Sequence, residues 1–223
     1  MHIVVCIKQV PDSAQIRVHP VTNTIMRQGV PAIVNPYDLF ALEEALRLKD
    51  QFGGRVTMLC MGPPQAEDSL RKCISFGATD AVLVTDRAFA GADTLATSYA
   101  LAAAIRKIGQ EQAVDLVFTG KQTIDGDTAQ VGPGIAKRLN WNLLTYVSRI
   151  PKVDLDGRRI QVERRADHDA HCQPVHAHGP GEEHSAADDR EVVEDWREGG
   201  EQELLAGVED AGHHPADREQ ERR

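Results

Sequence analysis

Four short apolar runs, HIVVCI, RVTMLC, AVLV and DLVF, recur between His2 and Phe118, and a helix-length segment follows each of them. Runs this rich in β-branched residues, with no polar alternation, read as strands buried on both faces. Strand and helix in turn restrict the chain to βαβ units. The fold class is therefore α/β: a Rossmann-like parallel sheet with helices on both faces. In such sheets ligands bind at the carboxyl ends of the strands. Here those ends open into IKQVPD, CMGPPQ, TDRAFAGADT and GKQTIDGDTAQVGP.

The elements between the runs carry their own signals. NPYDLFALEEALRLKDQFGG reads as a helix that Asn35 or Asp38 can cap. Its apolar face is Leu39, Leu42, Ala45, Leu46 and Leu48, and Gly53-Gly54 ends it. PPQAEDSLRKCISFG enters a helix on prolines and leaves it at Gly77. ADTLATSYALAAAIRKIG is a helix that Asp93 or Thr94 can cap. Pro11 to Gly29 reads as a polar loop or a small hairpin, with VTNT as its turn, and TYVSRIPKV and RRIQVERR as strands joined by DLDG.

The pattern stops near Arg165. Residues 1–164 carry a net charge of +2 and residues 165–223 one of −11, so the −9 of the whole chain belongs to the tail. The tail holds seven of the nine histidines, lacks Ile, Phe, Tyr, Met and Lys, and groups apolar residues only in EVVEDW and QELLAGV. This composition predicts one ordered α/β domain, 1–164, and a poorly ordered acidic C-terminal tail, 165–223. The abruptness of the change also predicts translation out of register after a frameshift near codon 165. A natural acidic, His-rich extension is the other explanation.

The loop Gly120–Pro133 contains more than a turn requires: Gly120, Gly126 and Gly132, Thr123 and Thr128, Gln122 and Gln130, Asp125 and Asp127, and Lys121. Glycines admit close backbone approach, hydroxyls and amides donate, and the helix that follows offers unpaired N–H groups. That combination suits a nucleotide phosphate. Pro133 fits the first helical turn. The two aspartates read as acceptors for backbone N–H groups or ribose hydroxyls. An elaborately capped structural turn is the alternative.

Other chemistry finds little support. His2 and His19 read as solvated, and residues 1–164 hold no constellation for covalent or acid–base catalysis, which points away from an enzyme. Lys8 ends the first strand beside the presumed site, where it can face a phosphate or flavin or simply solvent. Cys6 and Cys60 sit in apolar runs without a CxxC pair and read as reduced core thiols in a cytoplasmic protein. HDAHC and VHAH lack the spacing of a closed metal site, so no metal is expected. No window reaches the roughly 18 apolar residues of a membrane span. Basic stripes for nucleic acid are missing too.

Taken together, VCIKQVPD, NPYDLFALEEALRLKD, the segment from MGPPQAEDSL to SYALAAAI, and GKQTIDGDTAQVGP resemble the beta subunit of electron-transfer flavoprotein, from Met1 to about Arg164. The resemblance implies a heterodimer with an alpha subunit that holds most of an FAD. It also implies an adenine nucleotide on the beta subunit, and redox partners such as dehydrogenases or a quinone oxidoreductase. Carried over, the nucleotide contacts fall on Cys6, on Asn35, Pro36, Tyr37 and Asp38, on Met61 and Gly62, and on Gly120, Lys121, Gln122, Thr123, Ile124, Asp125, Gly126, Asp127, Thr128, Ala129, Gln130, Val131 and Gly132. In ordinary members that nucleotide is AMP. DGDTAQVGP and RAFAGADTLATSYALAAAI resemble the electron-bifurcating, nitrogen-fixation-associated branch, which favours FAD there. The family's partner-recognition loop and C-terminal arm have no counterpart after VERR.

Two other function classes compete. A self-contained nucleotide-binding stress or signalling module would need only the strand-end pocket, but the long glycine–serine phosphate signature of such modules is missing. An ATP-using ligase of the pyrophosphatase-loop type would need an SGGxDS-like stretch where KQVPDS stands.

Overall fold

β1 (His2–Ile7) lies inside the sheet and is buried along its whole length. In the computed structural model its side chains divide by the pleat: Ile3, Val5 and Ile7 enter one core and Val4 and Cys6 the other. The structure describes residues 1–12 and 31–165 in full, and the backbone alone at 17–18, 25–26, 190–195 and 204–208.

β1 pairs in parallel with β6 (Arg55–Met61) on one side and β8 (Leu116–Gly120) on the other, and β7 (Asp80–Val84) extends the sheet beyond β6. Four short strands follow β1. β2 (Gln9–Pro11) pairs with β5 (Ala32–Val34), and β3 (Arg17–Val18) with β4 (Ile25–Met26), both antiparallel. The segment after Pro11 is thus a hairpin, and the VTNT turn lies outside the described residues. β9 (Asn142–Asp154) and β10 (Arg159–Arg164) form the expected antiparallel pair around DLDG.

Two backbone stretches of the tail are strands: β11 (Arg190–Asp195), antiparallel to β10, and β12 (Leu204–Val208), parallel to both β8 and β9. They coincide with the two apolar groupings of the tail. The full order is β11-β10-β9-β12-β8-β1-β6-β7. The rest of the tail, including HDAHC and VHAH, lies outside the described residues, as does His19.

Helices cover both faces, as the alternation requires. α1 (Pro36–Phe52) and α2 (Glu67–Ser75) share a core with Val56, Met58, Leu116 and Phe118. α3 (Thr94–Glu111) and α4 (Val131–Leu139) share the other with Val4, Leu59 and Val117. Asp93 caps α3, accepting the Ala96 N–H at 2.8 Å. Gly53 ends α1 at φ 71°, and α4 ends on Asn140 at φ 61°.

His2 corrects the sequence reading. It is almost fully buried: Nδ1 donates to the Gln112 carbonyl at 3.1 Å, and Nε2 lies 2.9 Å from Thr57 Oγ1. The ring bridges β6 to the end of α3, a role that depends on tertiary pairing and leaves no local signal.

α3 and α4 meet closely at Gly134, where an added Cβ would lie 2.5 Å from Ser98 Oγ and 2.8 Å from Ser98 Cβ. Gly134→Ala should therefore destabilise the fold by about 1–3 kcal/mol. Gly109→Ala, whose Cβ would meet nothing nearer than 3.9 Å, should instead stabilise it by about 0.5–1 kcal/mol. Urea unfolding of the two variants beside the parent checks both signs.

Candidate functional site

β1, β6, β7 and β8 all end at one edge of the sheet, above a cavity of about 890 Å³. Cys6, Ile7 and Lys8 line it from the end of β1, and Met61 to Pro64 from the end of β6. Thr85 to Arg87 and Phe89 to Thr94 follow β7 along another wall, and Thr97 and Leu101 of α3 continue it. The loop after β8 closes the remaining side.

The start of α1 shapes that loop. Asn35 stands at the N-cap position, yet neither it nor Asp38 caps the helix as the sequence suggested. The Asn35 side chain is buried and turned to the loop backbone: Nδ2 donates to the Gln122 carbonyl at 2.8 Å, and Oδ1 accepts the Ile124 N–H at 3.2 Å. Asp38 Oδ2 accepts the Lys8 N–H at 2.7 Å, and the Gly120 N–H also bonds to this carboxylate. One carboxylate thus ties together the ends of two neighbouring strands. Burial pushes the Asp38 carboxyl up to about 7, although these N–H groups and the Asn35 amide favour its charged form.

The loop aspartates bond mainly to side chains, and Asp125 also to its own backbone N–H. Asp125 takes the Lys8 ammonium at 2.8 Å. Partial burial works to raise its carboxyl, but hydrogen bonds from Lys8 and Thr123 outweigh that and hold it below its ordinary value. Asp127 Oδ1 accepts the Gln122 amide at 2.9 Å. Asp127 and Ala129 adopt φ 45° and 53°, whereas Gly126 does not need a left-handed backbone. Nor is Gly126 tightly packed, since its added Cβ would meet only Thr123 Oγ1, at 3.5 Å. Gly120 is the glycine under steric demand: its Cβ would collide with Asp38 Oδ1 and lie 2.8 Å from the Tyr37 carbonyl carbon.

Of the residues singled out from sequence, Cys6, Asp38, Met61, Gly62, Gly120, Lys121, Gln122, Thr123, Gly126, Thr128, Ala129, Gln130, Val131 and Gly132 line the cavity. Asn35, Pro36, Tyr37, Ile124, Asp125 and Asp127 do not. They stand behind it, and Asn35 and Asp125 there hold the loop in place. The wall from Thr85 to Leu101 was missed as individual residues, although the strand-end rule had marked its loop. Burial pushes the thiols of Cys60 and Cys73 up to about 11 and that of Cys6 further, so they stay protonated at neutral pH, as core thiols do.

The sequence matches the family described as electron transfer flavoprotein domain over residues 22–180. This chain belongs to that family. It is 79% identical over 167 residues to Protein FixA of Azotobacter vinelandii, a match covering 75% of this chain and 59% of that protein. It is 77% identical over 168 residues to Protein FixA of Azorhizobium caulinodans, covering 75% and 60%. Against the electron transfer flavoprotein subunit beta of Clostridium acetobutylicum it is 54% identical over 164 residues, covering 74% and 61%. The chain thus spans about three-fifths of the length of these relatives. No helix among the described residues is long and apolar enough to cross a membrane.

Asp38 gives the fold a pH dependence. Its folded pKa of about 7 exceeds the ordinary 3.8, so the native state holds the proton more tightly. Its contribution is fully present below pH 3.8 and is lost as pH rises to 7, by up to about 1.4 kcal/mol per pH unit. Asp38→Asn should flatten that fall. Denaturation midpoints of parent and variant between pH 4 and 7 measure it, and parallel curves would remove Asp38 as the source.

Proposed function

We propose that this chain is the beta-type subunit of a heterodimeric electron-transfer flavoprotein, and that its strand-end cavity holds an adenine nucleotide, FAD in preference to AMP. The observation that carries the reading is the cavity itself: about 890 Å³ at the strand ends, walled by the Gly120–Gly132 loop. That volume is at the upper end of the range for small-molecule sites, which suits a dinucleotide better than a mononucleotide. The donor set fits its pyrophosphate. Thr119, Thr123 and Thr128 bring hydroxyls, Lys8, Arg87 and Lys121 bring cations, and α4 begins at the loop's end. The similarity to FixA proteins supports the bifurcating branch in the same direction.

When bound, FAD would supply two-electron oxidation of NADH and one-electron delivery to a high- and a low-potential acceptor. The chain's own part is to bind and orient. The Lys8–Asp125 pair fixes one loop side chain, Asn35 fixes the loop backbone, and the apolar wall of Phe89 and Leu101 keeps water from the bound group. In this reading the chain carries electrons in the cytoplasm, with an alpha subunit and with dehydrogenase or quinone-oxidoreductase partners.

Nucleotides released from a complex with a co-expressed alpha subunit test this. Two FAD per heterodimer is the expected result. One FAD and one AMP would remove bifurcation and keep the carrier. Gly120→Val should cost the beta-site nucleotide at least tenfold in retention, because the side chain displaces Asp38 from the loop; unchanged occupancy would refute the role of that packing.

A further inference from the structure

α3 and α4 carry two walls of the cavity: Thr97 and Leu101 stand on one helix, Val131 and Gly132 on the other. The sheet supports them unequally. α4 follows β8, which is buried, whereas α3 follows β7, the edge strand, which is only partly buried. The wall that β7 and α3 build therefore needs its position fixed from elsewhere. Apolar packing against α4 is part of the answer, through Leu101, Ala102 and Ile105 on one side and Ile135 and Ala136 on the other. Contacts of that kind are non-directional, so they hold two helices together without fixing how far one slides along the other.

Two arginines supply the direction. Arg138, in the last turn of α4, turns back along its own helix. There Nη1 donates to the Gly134 carbonyl and Nη2 to the Leu95 carbonyl in the first turn of α3, both at 3.1 Å. Arg106 of α3 returns the contact, its Nη2 donating to the Arg138 carbonyl. That carbonyl is among the last four of α4, which a helix leaves without an internal partner. The Leu95 carbonyl also accepts Ser98 Oγ at 3.1 Å, and Ser98 is the residue that meets Gly134. The close approach at Gly134 is thus what brings Arg138 within reach of α3.

We propose that Arg138 and Arg106 are positioning residues of the nucleotide site: their crossed hydrogen bonds hold α3 against α4 and so set the spacing of the two cavity walls. The ligand half of this rests on the nucleotide reading of the cavity. Neither arginine lines the cavity; each acts through the helix whose backbone it grips. Hydrogen bonds from a charged guanidinium to fixed carbonyls are directional and strong, and methionine of similar length keeps the packing while removing them. A ligand that reaches from the Gly120–Gly132 loop to the α3 wall depends on that spacing. One that stays on the loop depends on it less. FAD is the first kind and AMP the second.

Hydrogen exchange and titration calorimetry on the full chain test this. Arg138→Met should speed amide exchange at residues 98–101 of α3 by about tenfold, while α1 and α2 on the other face of the sheet keep their parent rates. It should weaken FAD binding about tenfold and AMP binding less than about threefold. Leu70→Val, buried in α2 and outside the cavity wall, controls for a general loss of stability and should leave the ratio of the two affinities at its parent value. Combining Arg106→Met with Arg138→Met should cost less than the product of the single losses, because both remove one constraint. Unchanged exchange in α3 would overturn the clasp. FAD and AMP weakened by the same factor in Arg138→Met, or a ratio that Leu70→Val shifts equally, would overturn the positioning role and leave the nucleotide reading standing. A parent chain that binds neither FAD nor AMP would overturn that reading and the positioning role with it.

Discussion

One buried carboxylate organises this molecule. Asp38 sits in the first turn of α1 and accepts the N–H groups of Lys8 and Gly120, residues at the ends of two adjacent strands. A charge placed there is costly without partners, and the two strand ends provide them. The bond fixes where β1 and β8 stop relative to α1, and therefore where the cavity begins. Gly120 must be glycine because the carboxylate occupies the place of its Cβ. Asn35, one turn earlier, extends the same grip to Gln122 and Ile124.

The fold was legible where its cause is local. Continuous apolar runs marked β1, β6, β7 and β8 because each is covered on both faces, and Asp93, Gly53 and Gly77 marked helix ends through backbone chemistry that works over a few residues. The site was legible only as far as strand ends and loop composition reach. Asn35 looked like a helix cap because Asn-Pro is a cap sequence; its side chain instead bonds to a loop almost ninety residues later. His2 looked solvated because it is near the terminus; it is buried by neighbours that only the sheet brings near. Glycine content alone did not tell Gly120 from Gly126; the steric demand falls on Gly120 and the left-handed backbone on Asp127 and Ala129.

The separation of β8 from β9 in the sheet shows a different limit. Alternating strands and helices predict neighbours, and β8 with β9 would be the simplest pair. A crossover that skips one position leaves no trace in either strand, since both are buried whichever strand lies between them.

The left-handed residues of the loop carry a consequence for kinetics. Asp127 and Ala129 hold a conformation that costs a non-glycine residue about 1–2 kcal/mol each, and the fold supports it through Asp127 N–H to the Thr123 carbonyl and Asp127 Oδ1 to Gln122. Their conformational freedom is surrendered when the chain folds and not when a ligand arrives. A ligand entering the cavity thus meets a preorganised wall, so association need not wait for the loop to rearrange, and the ordering entropy is not deducted from affinity.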